Sequence, residues 1–189
     1  MKLKLSAMLL VAIASVSCKD KSKKGPTAPM SNEMHQEDID ENNTNEQGQD
    51  ANAETVLNEY FGLKDALVDD DHSKAKEYGN ALAMSLKSFD ISNYSDSEES
   101  ELKELVEDAM EQAERIGESD IKQQREHFKT LSKKVTDMVA ITGTDQKLYE
   151  QFCPMYDGGT AWLSSKEEIR NPYYGSQMLK CGKVQREIN

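Results

Sequence analysis

The sequence predicts a mainly helical protein: an up-and-down four-helix bundle followed by a C-terminal irregular lobe that contains short β-strands. Apolar residues recur every three to four positions between residues 56 and 139, which is typical of amphipathic helices. Short polar segments interrupt this pattern three times, as in bundles with short loops. After residue 147 the periodicity ends and Gly and Pro punctuate the chain, which indicates short strands and tight turns.

The first 17 residues have the pattern of a lipoprotein signal peptide. Lys2 and Lys4 precede an apolar stretch, and small residues lead to Cys18, as in secretory signals. The four residues that end at Cys18 resemble a bacterial lipobox, in which the cysteine becomes the lipidated new N-terminus. We therefore predict a lipoprotein anchored to a membrane through Cys18 and facing the periplasm or the cell surface. The alternative is an ordinary signal peptide followed by an incidental cysteine.

Residues 18–53 are predicted to be the lipidated N-terminus and a disordered acidic linker. This segment is rich in Asn, Gln, Glu, Asp and Lys and has almost no large aliphatic residues, so it cannot offset the entropy cost of ordering. A flexible chain of about 34 residues reaches roughly 30–35 Å. We expect a tether that holds a folded domain, residues 54–189, clear of the membrane.

The charge balance excludes two classes of partner. The chain has 23 Lys and Arg against 35 Asp and Glu, a formal charge of −12. Nucleic acid and anionic lipid surfaces would both require a basic stripe, so neither is expected as the main partner. Beyond the N-terminus, no apolar run reaches the ~18 residues that a membrane span needs.

Four helices are predicted in order, with turn residues between them. The run Asp69–Asp71 should end the first helix and cap the second, and a polar break at residues 93–97 should precede the third. Gly117 should end the third helix, Ser119 or Asp120 should cap the fourth, and the fourth should stop before Gly143. The apolar stripes of the four helices begin at Val56, Ala75, Leu102 and Ile121.

The candidate chemistry lies in the C-terminal lobe, where Cys153 and Cys181 are the two cysteines left after Cys18. No second cysteine follows Cys153 at the spacing of a thioredoxin-type motif, and no Cys–His signature is present, so we expect no enzyme. One interpretation is a disulfide, which would stabilise the lobe by roughly 3–4 kcal/mol in the chain-entropy model. The other is a soft-metal site, because Met155 and Met178 each lie within three residues of a thiol and such donors suit Cu(I) or Ag(I).

His127 is a further candidate ligand. It precedes Phe128 on the predicted fourth helix and is expected to face an edge of the bundle rather than the interior. The alternative is a residue with no site role.

The lobe resembles a bacterial family of domains of unknown function. The resemblance rests on Phe152–Met155, Ala161–Ser164, Glu168–Gly175, Met178 and Cys181–Val184, and the family's helical part resembles residues 60–139. That family occurs as single-domain lipoproteins and as a C-terminal module of heavy-metal efflux adaptors of the copper/silver type. The resemblance implies copper or heavy-metal handling outside the cytoplasm, with Cys153, Met155, Met178 and Cys181 as ligands.

Together these observations predict an extracytoplasmic, lipid-anchored protein that binds Cu(I) or Ag(I), for sequestration or for hand-off to efflux components. The alternative is a disulfide-stapled interaction module of the cell envelope with no metal role. In that case the aromatic residues Trp162, Tyr173 and Tyr174 would form the contact with the partner.

Overall fold

The computed structural model describes residues 46–189, with side chains from residue 52 onward. The predicted signal peptide, Cys18 and the linker up to residue 45 lie outside the described residues.

Four helices make up the larger part of the fold. They are α1 (Glu46–Val68), α2 (His72–Lys87), α3 (Asp96–Glu118) and α4 (Ile121–Thr142). Each helix packs against the next one along the chain, and α1 also contacts α4, so the helices enclose a shared core. The predicted helical bundle is confirmed. In the part of the chain that the structure describes, no helix is both long and apolar enough to cross a membrane.

The helix ends are fixed by the residues that the sequence indicates. The Asp71 carboxylate accepts a hydrogen bond from the first turn of α2, and the Asp120 carboxylate accepts two from the first turn of α4. Ser95 and Glu98 form a capping box at the start of α3, which satisfies N–H groups that have no partner within the helix. Gly143 ends α4 with a φ of 71°, a conformation that glycine adopts without strain.

Two helix boundaries differ from the prediction. The backbone of α1 is helical from Glu46, about seven residues before the predicted end of the linker. The segment has no proline and contains Glu, Gln and Ala, which favour helix continuation. In α3, Gly117 does not end the helix but lies in its last turn, where a Cβ atom would sit 2.2 Å from the Asn80 side chain. Close packing against α2 therefore explains this glycine.

The core of the bundle continues into the C-terminal lobe. Tyr60 of α1 stacks on Phe128 of α4, with ring centroids 5.3 Å apart, and Phe128 contacts Tyr173 of the lobe at 5.8 Å. Tyr173 in turn meets the ring of Trp162 edge-on at 5.8 Å. These four aromatic side chains are almost fully buried, so bundle and lobe share one apolar core. Trp162 and Tyr173 therefore pack the lobe onto the bundle and do not form the partner contact expected for an interaction module.

The lobe is built on a three-stranded antiparallel sheet. Its strands are β1 (Leu148–Cys153), β2 (Thr160–Ser164) and β3 (Lys183–Ile188), in the order β2-β1-β3. Strand β2 packs on α4. A single 3-10 turn at Gly175–Gln177 lies in the long connection between β2 and β3. The predicted lobe with short strands is confirmed.

Arg125 of α4 links three parts of the molecule. Its guanidinium donates to the carbonyl of Leu67 at the end of α1 (2.9 Å), to the carbonyl of Pro172 in the lobe (3.0 Å) and to the Asp70 carboxylate. Asp70 also accepts a hydrogen bond from the backbone N–H of Ser176 at 3.0 Å. Because Arg125 is buried, its charge depends on these acceptors, and they fix the lobe against the bundle.

Candidate metal centre

Cys153 and Cys181 are in contact, although 28 residues separate them in sequence. Their Sγ atoms lie 2.9 Å apart, and both are free thiols. Cys153 is fully buried at the end of β1, whereas Cys181 is partly exposed in the loop before β3. The two cysteines that the sequence singles out thus form one chemical unit at the edge of the lobe.

The sheet register accounts for this meeting. Strand β3 begins its pairing with β1 at Lys183 opposite Phe152. Cys181 therefore arrives two residues before the ladder, close to the end of β1 where Cys153 lies. Gly182 has a φ of 149°, and a Cβ atom there would lie 3.0 Å from the Trp162 ring. This close approach lets the Cys181 loop lie against the sheet.

The sulfur–sulfur distance lies between the values required by two different chemistries. A disulfide requires about 2.05 Å. Two thiolates that share a tetrahedral metal at bond lengths of about 2.3 Å must lie roughly 3.8 Å apart. At 2.9 Å, either state needs a shift of roughly 1 Å. Since Cys153 is fully buried and Cys181 is partly exposed, we expect that shift in the Cys181 side chain rather than in the backbone of its loop.

The Cys181 thiol holds its proton firmly. Its hydrogen bond with the Cys153 thiol, together with burial, raises the pKa of Cys181 to about 11. At neutral pH this cysteine is therefore a protonated thiol rather than a reactive thiolate. A metal ion that binds here must displace that proton.

Two exposed methionines lie close to the two cysteines in the sequence. Among the described residues, the exposed large hydrophobic side chains are Met84, Met155 and Met178, at 73%, 62% and 38% exposure. Met155 follows Cys153 by two residues, and Met178 precedes Cys181 by three. Their side chains are accessible to solvent, and thioether sulfur is a donor that suits soft metal ions.

The segment that carries Met155 is held by the lobe's aromatic residues. The Tyr174 hydroxyl donates to the Met155 carbonyl at 2.9 Å, and Tyr156 packs edge-on against the Tyr174 ring. The turn then continues through Asp157, Gly158 and Gly159, all with positive φ. The backbone of the Cys153–Met155 segment is thus fixed, while the Met155 side chain points into solvent.

His127 does not join this unit. Its Nδ1 lies 3.0 Å from the Gln112 side chain of α3, and burial, followed by the charge of Arg115, lowers its pKa. Adjacent residues of a helix are rotated by about 100°, and Phe128 faces the shared core while His127 faces α3. Among the residues that the structure describes, no group of three or more His, Cys, Asp or Glu side chains is placed to hold a metal ion.

Asn171 anchors the loop of the second thiol. Its side-chain amide donates to the Cys181 carbonyl at 2.8 Å, and its backbone N–H donates to the Leu179 carbonyl at 2.8 Å. Its side-chain oxygen accepts from the N–H groups of Tyr173 (2.8 Å) and Tyr174 (3.2 Å). Asn171 is fully buried. Sequence reasoning did not single it out as a site residue, although Asn before Pro is a known turn signal.

The comparison with protein families finds a match in the helical part of the chain. Residues 56–147 match the family model described as Protein of unknown function (DUF3347). The match runs along the four helices and stops before β1, so it does not include the thiol pair. It confirms the expected resemblance to a domain of unknown function in the helical part. No curated protein and no solved structure matches the chain.

Proposed function

We propose that this protein is an extracytoplasmic, lipid-anchored binder of Cu(I) or Ag(I), which sequesters the ion or hands it on to efflux machinery. Cys153 and Cys181 supply two thiolates, and Met155 and Met178 supply thioethers. The supporting observation is the contact of the two thiols, at 2.9 Å, together with the exposure of two methionines that lie within three residues of them in sequence.

The donor set favours a soft monovalent ion over other metals. Thiolate and thioether sulfurs are soft ligands that suit Cu(I), whereas calcium and magnesium require oxygen donors. A structural zinc site would be expected to have four Cys or His ligands. Partly exposed ligands also suit a protein that releases its metal, because a partner's ligands can reach the ion.

The test is a Cu(I) titration of the protein purified and reduced without oxygen, in competition with a coloured Cu(I) chelator. We expect about one Cu(I) per chain, since the thiol pair forms one site. Cys153→Ser or Cys181→Ser should abolish tight binding. Met155→Leu and Met178→Leu keep the side-chain volume and should each weaken binding by about tenfold.

Met84→Leu is the matched control, because Met84 is exposed on α2 and carries the same thioether. We expect this variant to bind like the unmodified protein. If no Cu(I) is taken up, or if the cysteine variants bind as tightly as the unmodified protein, the proposal is wrong.

A second candidate function is a disulfide-stapled interaction module. It is favoured by the same sulfur–sulfur contact, which requires only a short approach to become a bond. In this case the isolated protein has no free thiols, and reduction lowers the free energy of unfolding by about 3–4 kcal/mol. The methionine substitutions then leave any residual copper binding unchanged.

A further inference from the structure

We infer that Asn171 is the positioning residue of the thiol pair: by holding the backbone of Cys181, it sets the distance between the two sulfurs. The inference deepens the proposed function, and its consequence for metal binding rests on that function. Asn171 makes no hydrogen bond to either sulfur atom. It therefore acts through the backbone of the Cys181 loop.

The two thiols are held in different ways. Cys153 is part of β1 and pairs with Thr160 of β2 in the sheet, so hydrogen bonds of the strand ladder fix its backbone. Cys181 lies outside the strands, two residues before β3 begins at Lys183. Its backbone must therefore be fixed by other contacts.

Asn171 supplies those contacts at two points of the loop. Its side-chain amide donates a hydrogen bond to the Cys181 carbonyl, and its backbone N–H donates one to the Leu179 carbonyl, each at 2.8 Å. Within the loop, the Cys181 N–H donates to the Met178 carbonyl at 2.9 Å. One buried residue thus holds the loop segment that carries both the second thiol and the second thioether.

Asn171 is itself rigid, as a positioning residue must be. Its side-chain oxygen accepts two backbone hydrogen bonds, and its own carbonyl accepts the Gly175 N–H at 3.0 Å. These bonds leave it one orientation, with the amide nitrogen toward Cys181. The preorganised geometry lowers the entropy cost of bringing two sulfurs to one ion.

The substitution Asn171→Asp tests the hydrogen bond to Cys181 separately from the hydrogen bonds that Asn171 accepts within its own turn. A carboxylate keeps the acceptor for Tyr173 and Tyr174 but cannot donate to the Cys181 carbonyl. The control is Gln124→Glu. Gln124 is also fully buried, and its amide donates to the carbonyls of His72 and Ile116, both at 3.2 Å. The control makes the same chemical change far from the thiols in sequence.

The first readout is the equilibrium of the thiol pair with glutathione, measured while each variant is folded. Formation of the protein disulfide reduces one oxidised glutathione to two glutathione thiols, and the two protein thiol hydrogens pass to them. We expect Asn171→Asp to lower the equilibrium constant roughly tenfold, the effect of losing one buried hydrogen bond. Gln124→Glu should leave it unchanged. An equal effect in both variants, or none in Asn171→Asp, would overturn the inference.

The second readout is the affinity of the reduced protein for Ag(I), which Asn171→Asp should also lower about tenfold. If the unmodified protein binds no silver or copper, the proposed function fails, while the glutathione equilibrium still decides the role of Asn171. If Asn171→Asp does not fold, the unmodified protein provides the test. Its Asn171 side-chain amide protons should exchange slowly with solvent, and fast exchange would overturn the inference.

Discussion

The hydroxyl of Tyr60 accepts a hydrogen bond from the backbone N–H of Leu163 at 3.0 Å. Tyr60 lies on α1 and Leu163 on β2, 103 residues apart in sequence. The same hydroxyl forms a hydrogen bond with the Ser132 hydroxyl of α4 at 2.8 Å. Burial raises the pKa of Tyr60, so the proton stays in place at every physiological pH. One buried side chain thus connects two helices with the sheet that carries Cys153.

Tyr60→Phe should destabilise the protein by about 1–3 kcal/mol, because the Leu163 N–H and the Ser132 hydroxyl lose a buried partner. The measurement is urea unfolding followed by circular dichroism. Tyr78→Phe is the control, since Tyr78 is only partly buried and loss of its hydroxyl should leave no fully buried polar group without a partner. Equal loss of stability in the two variants would contradict the assigned role of the Tyr60 hydroxyl.

Arg125→Lys should cost about 1–3 kcal/mol, the range for leaving buried hydrogen-bonding groups without a partner. A lysine ammonium cannot reproduce the planar set of donors that reaches Leu67, Pro172 and Asp70. The matched control is Arg115→Lys, because Arg115 pairs with Glu111 on the exposed surface of α3, where such pairs contribute at most about 1 kcal/mol. Comparable melting temperatures for the two variants would contradict the buried role of Arg125.

Asp70 should make stability depend on pH in the acid range. Hydrogen bonds from Ser176, and then from Arg125, lower the pKa of Asp70. A carboxyl whose pKa is lower in the folded state stabilises the protein above its unfolded pKa of about 4, and this contribution is lost as the pH falls through the folded value. Unfolding free energies measured from pH 6 down to pH 2.5 should fall less steeply for Asp70→Asn than for the unmodified protein. Asp137→Asn, at an exposed pair with Lys133, should keep the original slope.

The sequence predicted the helical bundle well because its signals are local. The apolar stripes, the Asp71 and Asp120 caps and the Gly143 stop each act within one or two turns of a helix, and the structure contains all of them. The start of α1 was placed too late, because a polar segment without apolar spacing can still continue a helix that already exists. The apolar periodicity of residues 46–53 is too weak to predict a helix from the sequence.

The site was predicted only in part, because its contacts join residues far apart in the chain. The cysteines and methionines could be chosen by residue type, but neither spacing nor composition could show that Cys181 reaches Cys153 through the pairing of β3 with β1. The roles of Arg125 and Asn171 depend on backbone carbonyls of other segments, which leave no pattern in the sequence. His127 was chosen because its place beside Phe128 predicts an edge position on the bundle, and the structure places it half-buried against Gln112 of α3.

Cys18→Ala should release the protein from the membrane fraction, since the predicted lipid anchor depends on that thiol. The circular dichroism of the released protein should match that of the anchored form in detergent, because every apolar stripe of the bundle lies after residue 55. Cys181→Ser provides the control for loss of a cysteine as such and should remain in the membrane fraction. Membrane association that persists in Cys18→Ala would contradict the lipoprotein prediction.

The affinity of the reduced protein for Cu(I) should rise with pH. The pKa of Cys181 is raised to about 11, so below that value the metal must displace a proton from this thiol, and the proton opposes binding more strongly as the pH falls. Displacement of this one proton should raise the apparent affinity for Cu(I) by up to about tenfold for each pH unit between pH 6 and pH 9. A chelator competition repeated at several pH values, corrected for protonation of the chelator, measures the slope. A flat profile would mean that Cys181 does not ligate the metal as a thiolate, and binding through the methionines alone would then have to explain any copper retained.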